Sequence, residues 1–181
     1  MDSLFEKAKK IRLVIFDVDG VLTTGALFYG ANGTELKEFH VHDGQGMKTL
    51  QKLGIPIAII TSRQSDIVTH RMRELGINYV YQNQVDKLPA YEEIKQKLKL
   101  SDENIAYIGD DLPDLPLLTR AGLAITVANA PSVMQQYAHW TTHSKGGEGA
   151  AREVCDFIIQ AQGLYSMMIE SYLHRLPSAN A

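Results

Sequence analysis

Ile11-Arg12-Leu13-Val14-Ile15-Phe16-Asp17-Val18-Asp19-Gly20-Val21 is the stretch on which the reading of this chain turns. Five of the six residues from Ile11 to Phe16 are apolar, and three are β-branched. Such a run is too short for a buried helix and reads as a strand covered on both faces, as in a parallel sheet. It leads into two carboxylates, Asp17 and Asp19, followed by Gly20. In open α/β sheets ligands bind beyond the carboxyl ends of strands. Two acids crowded there need a positive charge between them, and magnesium suits hard carboxylate oxygens, waters and a substrate phosphate.

Three other readings compete. An Asp-x-Asp-Gly segment can be only an exposed turn. An EF-hand loop needs a ligand at its fifth position and Glu at its twelfth, where this chain has Val21 and Phe28, so that reading fails. A receiver domain places its phosphoaccepting Asp on a later strand and stays a weak rival. The acids downstream decide.

At 181 residues and 45% hydrophobic, the chain is sized for one domain over 1–181, burying about two-thirds of its unfolded surface. A net charge of −3 offers no basic field for nucleic acid. The single cysteine, Cys155, can form no internal disulfide. The start Met1-Asp2-Ser3-Leu4-Phe5-Glu6 lacks a signal-peptide pattern, and no apolar run is long enough to span a membrane. A soluble, cytoplasmic protein is expected.

Ser3 to Lys10 forms a short helix. The region of about 24–41 reads as a β-hairpin: Ala26-Leu27-Phe28-Tyr29, a turn over Gly30 to Thr34 containing Asn32-Gly33, and a strand Leu36 to Val41. An isolated hairpin is marginal and wants a partner. His42 to Gly46 reads as a loop, and Met47 to Leu53 as a helix ending at Gly54. Strands and helices then alternate. Strands fall at Ile55 to Thr61, Tyr79 to Tyr81, Asn104 to Ile108 and Leu123 to Val127. Helices fall at Ser65 to Leu75, Lys87 to Leu98, Pro131 to Tyr137 and Glu148 to Ala161. This order predicts a doubly wound, mainly parallel, Rossmann-like α/β sheet with helices on both faces, plus a protruding hairpin.

In that fold Asp17, Asp19, Thr61, Lys87, Asp110, Asp111 and Asp114 all fall at or just beyond carboxyl ends of strands and can share one crevice. The set is a phosphoryl-transfer kit. Magnesium on Asp17 and Asp110 screens a phosphate from the acids, Lys87 and the Thr61 hydroxyl hold its oxygens, and the nucleophile is a carboxylate. Singly, Lys87 reads as a surface lysine, Thr61 as a strand-end hydroxyl and Asp114 as a first-turn helix acid. Together and in this order they carry weight.

The four segments Asp17-Val18-Asp19-Gly20-Val21-Leu22-Thr23, Thr61-Ser62-Arg63, Lys87 and Gly109-Asp110-Asp111-Leu112-Pro113-Asp114 resemble the four signatures of the haloacid dehalogenase superfamily of phosphohydrolases. The resemblance implies that Asp17 attacks phosphorus to give an aspartyl-phosphate. It implies that Asp19 moves the proton, that Asp17, the Asp19 backbone carbonyl and Asp110 bind magnesium, and that Asp111 and Asp114 orient the loop and Lys87, with Ser62 in support. Only 41 residues separate Asp19 from Thr61, and 25 separate Thr61 from Lys87, so no cap domain fits. An open site of this kind suits a macromolecule or is closed by a neighbouring subunit. The hairpin, the stretch Phe39 to Lys48 and the stretch Gly146 to Cys155 further resemble a branch that hydrolyses sugar-acid phosphates in lipopolysaccharide precursor synthesis. That likeness implies a homotetramer joined through its hairpins. It implies substrate contacts at Asp19, His40, Val41, His42, Asp43, Gly44, Lys48, Arg63, Arg71 and Lys87, with an Arg on the sugar carboxylate. His40 and His42 are expected to alternate on a strand end.

Eight-carbon and nine-carbon sugar-acid substrates would share every catalytic residue. A non-catalytic oligomerisation module is the rival of another class, and the complete set of acids with Thr61 and Lys87 argues against it. Leu27, Phe28, Tyr29, Leu36 and Phe39 form the expected apolar patch. The residues after Gly163 continue as a helix whose tail, Leu176-Pro177-Ser178, either reaches a neighbour or frays.

Overall fold

The computed structural model describes residues 3–173. Six strands, β1 (Leu13–Phe16), β4 (Ile57–Ile60), β5 (Tyr79–Tyr81), β6 (Ile105–Ile108), β7 (Leu123–Thr126) and β8 (Trp140–Thr141), form one sheet in the order β5-β4-β1-β6-β7-β8. Every pairing in it is parallel. Alternation along the strands makes two cores. Val14, Phe16, Ile57, Ile59, Ala106 and Ile108 face one side; Leu13, Ile15, Ala58, Ile60, Ile105 and Tyr107 face the other. Helices α1 (Leu4–Lys9), α2 (Val41–Lys52), α3 (Asp66–Glu74), α7 (Ala150–Ala161) and α8 (Tyr165–Leu173) contribute to the first core. Helices α4 (Leu88–Leu98), α5 (Leu115–Leu118) and α6 (Ser132–Gln135) contribute to the second. The doubly wound α/β expectation holds, and the hairpin of β2 (Phe28–Tyr29) and β3 (Glu35–Leu36) stands outside the sheet.

Four expectations are corrected. His42 to Gly46 is not a loop: it lies in α2, which starts at Val41. Gly44 and Gly46 weaken a helix in isolation, but here they let α2 approach its neighbours. A Cβ on Gly46 would meet Arg152 Cδ at 2.8 Å and Cys155 Cβ at 3.3 Å. Asp43 Oδ1 accepts from Arg152 N at 2.8 Å, tying the first turns of α2 and α7 together. The second hairpin strand does not reach Val41; only Phe28↔Leu36 and Tyr29↔Glu35 pair. His40 therefore sits at the N-cap position of α2, without a side-chain capping bond, and His42 lies on the helix, their rings edge to face at 5.1 Å rather than alternating along a strand. Phe39 leaves the hairpin patch and packs against the first core. Strand β8, two residues long, carried no periodicity to detect. Leu176 to Ser178 lies outside the described residues. Among the described residues no helix is long and apolar enough to cross a membrane.

Candidate active site

The chain runs outward from β1 to β4 and β5, then returns to place β6 on the other side of β1. The carboxyl ends of β1 and β6 thus flank the switch point, where doubly wound sheets bind ligands. A cleft of about 340 Å³ opens there. Asp17 and Asp19 enter it from β1, Thr61, Ser62 and Arg63 from β4, and Asp110, Asp111 and Asp114 from β6; Lys87 reaches it from the start of α4. Gly20 has φ +94°, and any Cβ there would collide with the Asp110 carboxyl, so the two acid loops can close on each other only with glycine at this position.

Asp114 braces the site. Only 1% exposed, it accepts from the backbone N–H groups of Asp110 (2.9 Å) and Asp111 (3.1 Å) through Oδ2. Its Oδ1 accepts from Lys87 Nζ and the Tyr107 hydroxyl, both at 2.5 Å. Asp111 caps the turn at Leu112 N, 2.8 Å away. Burial alone would lower the Lys87 pKa, but Asp17 and Asp114 more than offset it and raise it, so the ammonium stays charged.

A single ammonium does not balance these acids. Burial, opposed by Lys87 and reinforced by Asp114, pushes Asp17 up to about 6. Burial together with Asp17 and Asp114 pushes Asp110 up to about 7. Oxygens of Asp17, Asp110 and Asp114 lie within 4.8 Å of one another. Asp17 Oδ1 is buried and, although 3.0 Å from Lys87 Nζ, is not aligned with it as a hydrogen-bond acceptor. Both oxygens of Asp114 are already engaged, which leaves Asp17 and Asp110 as the acids free to take a divalent cation. The residues fit magnesium.

Both pKa values are raised above the unfolded value of 3.8, so the folded protein holds protons that the unfolded chain has lost. In chelated protein, the stability contributed by these groups is present at low pH and is lost as pH rises toward 6 and then 7. Magnesium at a hundred times its Kd should restore about 2.7 kcal/mol at pH 7.5, read as a rise in Tm. Asp110→Ala should remove that response.

The remaining expected contacts do not line this cleft. His40, Asp43, Gly44 and Arg71 meet around Phe39 at the start of α2, with Arg71 5.8 Å from the Phe39 ring and 3.4 Å from Glu74. Asp43 is 2% exposed, and among the described residues its Oδ2 has no hydrogen-bond partner. Val41, His42 and Lys48 are exposed on α2. Arg63 does reach the cleft, bonded to Glu35 at 2.6 Å and to the Tyr29 hydroxyl at 3.1 Å. Three participants were missed from the sequence. Tyr107 stood in an all-buried strand, where its hydroxyl demanded a partner. Lys37 and Glu35 looked like polar positions on an exposed hairpin.

The fold and the acid cluster define a phosphoryl-transfer protein of the haloacid dehalogenase type, and the model of the haloacid dehalogenase-like hydrolase family matches residues 74–154. The 3-deoxy-D-manno-octulosonate 8-phosphate phosphatase KdsC of Salmonella typhi is 46% identical over 157 residues, 87% of this chain and 84% of that protein. The crystal structure of 3-deoxy-D-manno-octulosonate 8-phosphate phosphatase from Moraxella catarrhalis in complex with magnesium, phosphate and KDO is 43% identical, with a TM-score of 0.91 over 93% of this chain and 97% of that one. The cobalt-bound Haemophilus influenzae phosphatase YrbI is 39% identical, with a TM-score of 0.88 over 92% of this chain and 99% of that one. The chain belongs to the haloacid dehalogenase-like hydrolases, in the 3-deoxy-D-manno-octulosonate 8-phosphate phosphatase family.

Proposed function

We propose that this protein is a magnesium-dependent phosphomonoesterase. It hydrolyses 3-deoxy-D-manno-octulosonate 8-phosphate to the free sugar acid and phosphate, in the cytoplasm, as a step of lipopolysaccharide precursor synthesis. The observation that carries the reading is the packing of Asp17 and Asp110 against Lys87 and Asp114 at the switch point of the sheet. The relatives' substrate supplies the sugar.

A carboxylate oxygen of Asp17 attacks phosphorus, the bond from phosphorus to the sugar oxygen breaks, and Asp19 gives its proton to that oxygen. Asp19 then takes a proton from water, which attacks the phosphorus of the aspartyl-phosphate and frees Asp17. The Thr61 hydroxyl and Lys87 ammonium hold the phosphate oxygens, with Ser62 beside them. Asp17, the Asp19 backbone carbonyl and Asp110 would hold magnesium, which when bound neutralises the charge of phosphate brought against the acids. Calcium should inhibit, because its longer and looser coordination misplaces the phosphate. Arg63 or Arg71 supplies the cation for the sugar carboxylate. His40 to Gly44, Lys48 and Arg71, off the phosphate cleft, serve the sugar end. Phosphate release over a panel of eight-carbon and nine-carbon sugar-acid phosphates tests the assignment: kcat/KM should be highest for the eight-carbon 8-phosphate, and a preference for the nine-carbon substrate would overturn it.

The assembly belongs to the same proposal. Leu27, Phe28, Tyr29 and Leu36 are 49–64% exposed on one small hairpin, more apolar surface than a lone protomer leaves bare. A homotetramer joined there would also wall the open cleft. Phe28→Asp should dissociate it and lower kcat/KM for the sugar-acid phosphate more than for a small aryl phosphate. Light scattering that finds the wild type monomeric would rule this out.

A further inference from the structure

Among the described residues, Lys37 is unusual on the hairpin. Its neighbours Leu36 and Glu38 are exposed, yet its own side chain is only 2% exposed. It turns inward, and its ammonium bonds Oδ1 of Asp19. The same ammonium lies 3.5 Å from Glu35 Oε1, which also accepts from Arg63 Nη2 at 2.6 Å. The second oxygen of Glu35 accepts from the Ser65 hydroxyl at 3.1 Å. Partial burial works to raise the Glu35 pKa, but Ser65, Lys37 and Arg63 overcome it and keep the group ionised. Asp19 Oδ2 is 4.0 Å from Arg63 Nη1, beyond hydrogen-bonding distance.

A long lysine side chain gives up most of its rotamer freedom when it is fixed. Holding it in the interior of an otherwise exposed hairpin is therefore informative. The contact it makes is with Asp19, whereas Lys87 pairs with Asp17 and Asp114. The hairpin brings its own anchor: Glu35, in β3, is fixed by Ser65 and Arg63 from the β4 side and in turn fixes Lys37.

We propose that Lys37 is a positioning residue that holds the Asp19 carboxylate by Oδ1, leaving Oδ2 as the oxygen that carries and receives the proton, and that Glu35 anchors Lys37 for this purpose. The proposal deepens the phosphatase reading and rests on it for the role of Asp19. In the first step the proton leaves Oδ2 for the sugar oxygen; in the second Oδ2 takes a proton from water. Lys37 touches neither the phosphate nor the water. It removes the rotation of Asp19 that would otherwise have to be frozen in each transition state. The hairpin thus has a role in proton transfer that is separate from its apolar outer face.

A double-mutant cycle tests this. Lys37→Met should lower kcat by about 10-fold to 100-fold for a small aryl phosphate, with KM falling alongside it and a burst of aryl alcohol as the water step slows, part of the ~10²–10⁴ supplied by general acid–base transfer. Lys37→Arg should recover most of that loss. In an Asp19→Asn background the same Lys37→Met change should cost almost nothing, because residues that act through each other are not additive. Full additivity, or a fall in Tm with kcat intact, would overturn the positioning role and leave Lys37 as a staple for the hairpin. A crystal structure of Lys37→Met in the presence of magnesium gives a readout free of activity: Asp19 should leave its present rotamer, and an unmoved Asp19 refutes the proposal. Failure of the phosphatase reading shows separately, as a wild type that releases no phosphate from any phosphomonoester.

Discussion

Asp17→Asn abolishes turnover, and no phosphoenzyme forms. An amide is a poor nucleophile, and the substitution also removes one of the two carboxylates left free for a cation. Burial and Asp114, opposed by Lys87, raise Asp17 to about 6, so at pH 7.5 its charge is carried at a cost, and thermal unfolding of the variant beside the chelated wild type separates loss of the nucleophile from loss of the fold. Asp19→Asn behaves differently. Proton transfer contributes about 10²–10⁴, so some turnover survives. With an aryl phosphate the leaving group departs without protonation, the first step is spared, and the water step is slowed. Phosphoenzyme should therefore accumulate, visible as a burst of aryl alcohol followed by a slow steady state. Appreciable turnover by Asp17→Asn, with reversion to Asp by deamidation excluded by mass spectrometry, would sink the nucleophile assignment.

The parts of this site that could be read from the sequence share one property: each is set by position along a strand. Asp17, Thr61 and Asp110 follow runs of buried apolar residues in β1, β4 and β6, and parallel neighbours put the ends of such runs side by side. Local pattern therefore carried global geometry. Lys37 escaped because its partner is 18 residues away and is reached only after the chain turns back on itself. The run from Leu36 to Val41 was misleading for a related reason. It imitates a strand, but β3 stops at Leu36 and the next apolar side chain, Phe39, is drawn into the main core. His42 to Gly46 went wrong in the opposite sense. Two glycines spaced by one residue look like a loop, and only the nearness of Arg71 and Leu75 to Gly44, and of Arg152 and Cys155 on α7 to Gly46, explains why a helix needs them. That is tertiary packing overriding propensity.

Asp114→Ala should cost both stability and rate, although Asp114 is not placed on the phosphate. Four donors converge on this carboxylate, two from the backbone of the Asp110 loop and two from Lys87 and Tyr107. Tyr107 is 0% exposed and Lys87 3%, so neither finds water when the acceptor is removed. Breaking a buried ion pair by deleting one partner typically costs about 3–5 kcal/mol, which in a chain of this size lowers Tm by roughly 10 °C. The rate should fall by about 10²-fold or more, because small misplacements of catalytic groups are expensive and this change loosens both the Asp110 loop and the Lys87 ammonium. Asp111→Ala is the natural comparison. Asp111 is exposed and caps only the turn at Leu112, so its loss should cost about 0.5–2 kcal/mol, as for other N-caps. Thermal unfolding with and without magnesium separates the two. Asp114→Ala should melt much lower and respond weakly to the metal, whereas Asp111→Ala should keep a nearly normal response. Equal behaviour of the two variants would mean that Asp114 is only another cap on the turn and that Lys87 is held by Asp17 alone.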